Sequence, residues 1–233
     1  MPLRLLARAA SHATGRLGWA RSAVGALLGI AFAAGLTRLL LGGNALALPW
    51  LVAPLGASAV LVFALPASPL AQPWPVFGGN MLSAAIGLAC AHLLGQPLLA
   101  CAVAVGLAIA AMGLARCLHP PGGACALVGA LGGPAVAAHG PLALLGPLAI
   151  NIALLLAAGW LYNNLTGHAW PHRMPSAPSL PPEGWTGSYD IADLEAVLED
   201  WDEVLDVSPA DLDALFRAVE RRVQRRWQDT RPR

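Results

Sequence analysis

The sequence predicts an all-α integral membrane protein: about six membrane-embedded helices forming two three-segment, inverted repeats, then a soluble C-terminal helical hairpin. Three observations predict it. Of 233 residues, 57% are hydrophobic and only 12% charged, against about 25% charged in an ordinary soluble domain. Apolar runs of bilayer-spanning length recur through the first two-thirds of the chain. All thirteen acidic residues lie between Glu183 and Asp229, so residues 1–182 hold seven arginines and no acid. The formal net charge of +1 hides this division between a membrane body with only positive charges and an acidic tail.

Residues 1–19 form a basic leader with Arg4, Arg8 and Arg16 ahead of the first apolar run. The positive-inside rule then predicts a cytoplasmic N-terminus, in a multi-pass protein of the bacterial inner membrane with a cytoplasmic C-terminus. The membrane domain, 20–165, divides into apolar segments near 20–41, 45–65, 76–94, 97–115, 120–138 and 142–162. Each approaches the ~20 residues that cross a hydrocarbon core as a helix. Gly, Pro and Asn punctuate the short connections, and Trp50, Trp74, Trp160 and Trp170 fall near segment ends, where the headgroup layer suits an indole. A proline-rich linker spans 166–188. The tail, 189–233, reads as two amphipathic helices. The first, near 190–205, carries Leu194, Val197 and Leu198 at helical spacing. The second, from Ser208 to about Trp227, carries Leu212, Leu215, Phe216, Val219 and Val223 on one face.

An internal repeat organises the membrane domain. Pro54-Leu-Gly-Ala-Ser-Ala59 and Pro121-Gly-Gly-Ala-Cys-Ala126 share Pro, Gly, Ala and Ala at an offset of 67. Each follows an apolar segment bearing an arginine near its end (Arg38, Arg116) and precedes one with a lone amide (Asn80, Asn151). Six crossings make the second triplet the inverse of the first, a plan that puts transport sites in broken helices at the repeat interface. A rival plan has four spans and two re-entrant P-x-G-A-x-A segments. In either plan, irregular backbone at membrane depth belongs inside protein or beside water.

The stretch R-C-L-H-P-P-G-G-A-C-A-L, 116–127, holds the sharpest candidate site. Pro120 and Pro121 suit a helix start, and Gly122 and Gly123 admit close backbone approach. A helix starting there points amides at a negative guest, with Arg116 and His119 just before it. The candidate substrate-binding residues are Arg116, His119, Pro120, Pro121, Gly122, Gly123 and Ala124. From the first half and the amide-bearing segments come Pro54, Gly56, Ala57, Ser58, Arg38, Asn80 and Asn151. Several have plainer roles: Arg21 and Arg38 can snorkel to the interface, His119 can cap a neighbour, and Asn80 and Asn151 can be interhelical glue. Cys90, Cys101, Cys117 and Cys125 read as small packing residues, and no spacing fits a zinc set.

L-H-P-P-G-G-A-C-A-L resembles the signature of the HPP family of integral membrane proteins, as does the run P-L-G-A-S-A-V-L-V-F-A-L-P-A-S-P-L-A-Q-P-W at 54–74. The resemblance covers about 17–165. It implies roughly four spans, against the six read from the segments, and carries the motif onto His119, Pro120, Pro121, Gly122, Gly123 and Ala124. Cyanobacterial and chloroplast members are associated with nitrite transport, so the resemblance implies a transporter or channel for a small inorganic anion, nitrite foremost. The tail segment D-L-E-A-V-L-E-D-W-D-E-V-L-D is similar to the part that follows the membrane region in HPP proteins bearing CBS domains. Those domains are expected to be absent here or supplied by another chain.

The expected partners are the bilayer, a small anion and further copies of the chain, joined through the membrane body or the C-terminal helices. No nucleic acid, metal or cofactor is expected. An enzyme is the weaker alternative, because acid–base and metal chemistry usually recruits carboxylates and the membrane body has none. An anchor or sensor acting through the tail is the third reading.

Overall fold

The computed structural model describes residues 18–42, 51–172, 191–200 and 212–221. Most of the leader, most of the linker and the ends of both tail helices lie outside the described residues. Eight α-helices are named in chain order: α1 (Gly18–Leu40), α2 (Leu55–Ala64), α3 (Asn80–Leu94), α4 (Pro97–Leu114), α5 (Pro121–Leu131), α6 (Pro134–His139), α7 (Leu142–Leu165) and α8 (Ile191–Asp200). A further helix occupies 212–221. No strand occurs among the described residues.

Among the described residues, four helices are long and apolar enough to cross a membrane: Gly18–Leu40, Pro75–Leu94, Pro97–Leu114 and Leu142–Leu165. The second includes a π turn, Pro75–Gly79, that leads into α3. The other two apolar segments are short. α2 has 10 residues and α5 has 11, hence about 15–17 Å of helix against a ~30 Å hydrocarbon core. The six expected segments therefore occur, but two are half-length. In the first, residues 51–54 are not helical and α2 starts at Leu55. In the second, Gly132 takes φ 64° and ends α5 before Pro134 opens the small α6.

Contacts at the helix ends fix the direction of travel. Arg21, in the first turn of α1, bonds Phe63 at the end of α2 and Asn163 at the end of α7. Trp74, just before the π turn, donates to Ala115 at the end of α4. Thus α1, α3 and α5 run one way, and α2, α4 and α7 run the other. Helices α1, α2 and α7 pack as one trio and α3, α4 and α5 as another.

Small residues make both trios close. On α1 the buried Arg21, Gly25, Gly29, Ala33 and Thr37 recur every fourth residue, and on α4 Ala100, Ala104, Ala108 and Met112 do the same. Such stripes let helices approach where no hydrophobic force drives them together. Phe63 fills the space left by Gly29, and its ring meets Tyr162 edge-on at 5.7 Å. Between α3 and α5 the approach is backbone to backbone: a side chain on Gly87 would strike the Ala126 carbonyl, and one on Gly129 the Ala84 carbonyl.

Candidate functional site

Four segments converge where α2, α3 and α5 meet. Ser58 lies on the first turn of α2, Asn80 follows the π turn, Cys125 lies on α5, and His119 belongs to the link between α4 and α5. That link turns sharply. Arg116 adopts φ 52°, and Cys117 N–H closes a wide turn onto Met112 O at 2.9 Å. The turn folds His119 inward, with its Cβ against Gly79. Ser58, Asn80 and His119 are 0% exposed, and Cys125 1%.

Their hydrogen bonds form one directed chain. His119 Nδ1 lies 2.8 Å from the carbonyl oxygen of Leu70, which only accepts, so this nitrogen carries the proton. The neutral ring then leaves Nε2 to accept from Ser58 Oγ at 2.8 Å. Asn80 Nδ2 donates to Ser58 Oγ at 3.0 Å and to Val76 O at 2.9 Å, and Asn80 Oδ1 accepts from Cys125 Sγ at 3.1 Å. The neutral imidazole uses each polar group in its natural sense, as a buried network requires. Ser83, one turn beyond Asn80, is fully buried against Gly122, and its Oγ has no hydrogen-bond partner among the described residues.

Two further polar clusters flank this one. Asn151 Nδ2 donates to Thr37 Oγ1 at 2.7 Å, and its Oδ1 accepts from Val52 N–H at 3.1 Å. Arg21, 5% exposed, donates to Asn163 Oδ1 at 2.9 Å, Thr166 Oγ1 at 3.2 Å and Phe63 O at 2.6 Å. Asn163 Nδ2 donates to Val62 O, and the Tyr162 hydroxyl to Arg21 O.

The structure gathers only part of the candidate set. His119, Ser58 and Asn80 share one network, with Pro121 and Gly122 buried beside it and Pro54 buried at the start of α2. Asn151 belongs to a separate cluster. Arg38 and Arg116 are exposed, as are Gly56, Ala57, Pro120 and Ala124, while Gly123 is half-buried. Arg38 misses the inward stripe of α1 by one residue, and the left-handed turn at Arg116 sends its side chain outward. The expected amide cradle is also closed. Gly122 N–H bonds His119 O at 2.8 Å and Gly123 N–H bonds Pro120 O at 3.0 Å. At α2, Leu55 and Gly56 N–H bond Val52 and Ala53 in the same way.

Sequence reasoning missed Cys125, taken as packing, and Arg21, taken as a snorkelling residue. Both had signals. The offset of 67 pairs Cys125 with Ser58, and Arg21 heads the four-residue stripe through Thr37. Among the described residues no three His, Cys, Asp or Glu side chains are placed to share a metal.

These observations define a polytopic helical membrane protein in which two half-length helices close over a buried polar chain. It belongs to the HPP transmembrane family, whose model, described as HPP, transmembrane region, matches residues 11–171. Two similar proteins from Dictyostelium discoideum carry names that describe them as transmembrane proteins. One is 45% identical over 83 residues, 34% of this chain and 27% of the relative. The other is 43% identical over 86 residues, 35% and 30% respectively. The chain thus aligns with less than a third of the length of either curated relative. No solved structure matches it.

Proposed function

We propose that the protein carries a small inorganic anion across the membrane through the seam where α2 and α5 meet α3. One observation carries this reading: the only fully buried chain of side-chain hydrogen bonds among the described residues that joins the two trios lies in this seam. Ser58 belongs to the trio α1–α2–α7, whereas Asn80 and Cys125 belong to α3–α4–α5. Relative movement of the trios has to break the bonds of Ser58 to Asn80 and His119, and it frees the Ser58 hydroxyl and an Asn80 amide N–H together while the Cys125–Asn80 bond stays within its trio. Both freed groups can donate to an oxyanion, and the Ser83 hydroxyl adds a donor with no present acceptor. A membrane body without a carboxylate repels no anion. Polar groups at membrane depth are costly and usually functional.

The trios also support an inverted repeat. Segments α1–α2–α3 and α4–α5–α7 run in opposite senses, and each trio takes its third helix from the other half. Alternating access in such folds is a rocking of one bundle against the other. Nitrite is the anion of choice because of the family resemblance, and the leader orients both termini to the cytoplasm of a bacterial inner membrane. In this reading copies of the chain associate, and each copy carries its own path.

A second reading has one geometric support. Ser58 and His119 sit at the distance of a nucleophile and its base, with the ring held by Leu70 O. Both are fully buried, however, and Ser58 Oγ already accepts from Asn80. Labelling by an activated phosphonate that disappears in Ser58→Ala favours this enzyme; no labelling removes its support.

Flux in proteoliposomes tests the main reading. Wild-type vesicles should release nitrite faster than empty ones, and Asn80→Ala and His119→Ala should slow it. Equal flux from wild-type and empty vesicles across a panel of small anions contradicts the proposal.

A further inference from the structure

We infer that the C-terminal hairpin is a homodimerisation surface, in which the hairpins of two copies dock face to face and each closes the other's apolar groove. The groove, of about 380 Å³, runs between α8 and the helix at 212–221 and is lined by Asp193, Leu194, Val197, Phe216, Val219 and Glu220. Leu194 is only 7% exposed, whereas Val197, Leu215, Phe216 and Val219 stand at 43–57%. These residues belong to the amphipathic tail, outside the apolar segments, where an open apolar strip faces water at a cost. Two short helices cannot bury such a strip by themselves.

Charge selects the occupant. The sequence of α8, IADLEAVLED, holds four acids and no base. The second helix carries Arg217, held by Asp213 of its own turn at 2.9–3.0 Å, and Arg221; Arg222, Arg225 and Arg226 follow in the sequence. Acids rim the groove, through Asp193 and Glu220. In a two-fold contact the same patch meets itself, so any charge it carries is matched only if it holds both signs. This hairpin does, and a second copy brings its arginines over the acidic rim of the first. The chain's own membrane body is a poorer occupant. Residues 1–182 offer arginines to the acids of α8 but no acid to the tail's arginines. The inference names the oligomer expected in the proposed function and does not depend on what is transported.

The test uses the full chain in detergent, with mass measured by light scattering over a range of concentrations. Wild type should be a dimer. Val197→Glu with Val219→Glu should weaken association at least about tenfold, with helix content unchanged by circular dichroism because both side chains are already exposed in the single hairpin. Val219→Cys, otherwise wild type, should give a bismaleimide-linked dimer that the native cysteines do not. A wild-type monomer at every concentration, or a dimer equally strong in the double variant, overturns the inference. Nitrite flux should be unchanged in the double variant; absence of flux from wild type as well refutes the transport reading alone.

Discussion

Where α1, α2 and α7 meet, Gly29 makes room for the rings and branches of Phe63 and Leu155; where α3 and α5 meet, Gly87 and Gly129 make room for the facing backbone itself. The first trio has a core of Phe63, Leu148, Ile152 and Leu155, whereas α4 meets its neighbours through Ala100, Ala104, Ala108, Ala126 and Ala130. Large side chains can change rotamer as helices slide, but backbones in contact cannot. The second trio is therefore a rigid block and the first a more adjustable one. The two buried amides differ likewise. Asn151 bridges α7, α1 and the entry to α2, all in one trio, whereas Asn80 bridges the two trios. The first is a rivet and the second a latch.

Substitutions can break this comparison in order of effect. Phe63→Ala should destabilise most, by about 3 kcal/mol, at the low end of the ~3–5 kcal/mol seen for buried phenylalanine because lipid solvates the ring better than water does and its burial gains less. Thermal unfolding in detergent measures it. Gly129→Val, which drives a branched side chain at the Ala84 carbonyl, should cost about 2 kcal/mol by overpacking. The same melt, compared with Gly146→Val at an open position, isolates the close approach. Asn80→Ala leaves its partners short of a bond and should cost about 1 kcal/mol, while its effect on flux exceeds that of Asn151→Ala. Arg38→Ala and Arg116→Ala should shift stability by less than about 0.5 kcal/mol, as exposed changes do, and leave flux near wild type. A larger loss of flux in Arg116→Ala than in Asn80→Ala would move the site from the latch to the surface.

Much of this architecture was legible in the sequence. Apolar length and turn chemistry placed six segments, and the repeat at Pro54–Ala59 and Pro121–Ala126 found the two helices that differ from the rest. Their half-length was not legible, because an apolar run continues through Val52 and Leu55 or Leu131 and Val136 whether or not the backbone is helical. Ser58, Asn80 and His119, which share one buried network, stood out in the sequence because polar residues are rare in such segments. The outward placement of Arg116 was not legible, because its turn, φ 52° at a non-glycine residue, has no sequence signal. Cys125 looked apolar until its hydroxyl-bearing counterpart in the repeat appeared beside the same amide.

The measurement closest to the central claim is the initial rate of nitrite release from proteoliposomes for wild type, Asn80→Ala and Arg116→Ala at equal protein content. Loss of the latch donors, worth about 1.4 kcal/mol in the path, should slow Asn80→Ala about tenfold, with Arg116→Ala close to wild type. Equal rates for wild type and Asn80→Ala, both above empty vesicles, would place the anion's path elsewhere and contradict the account.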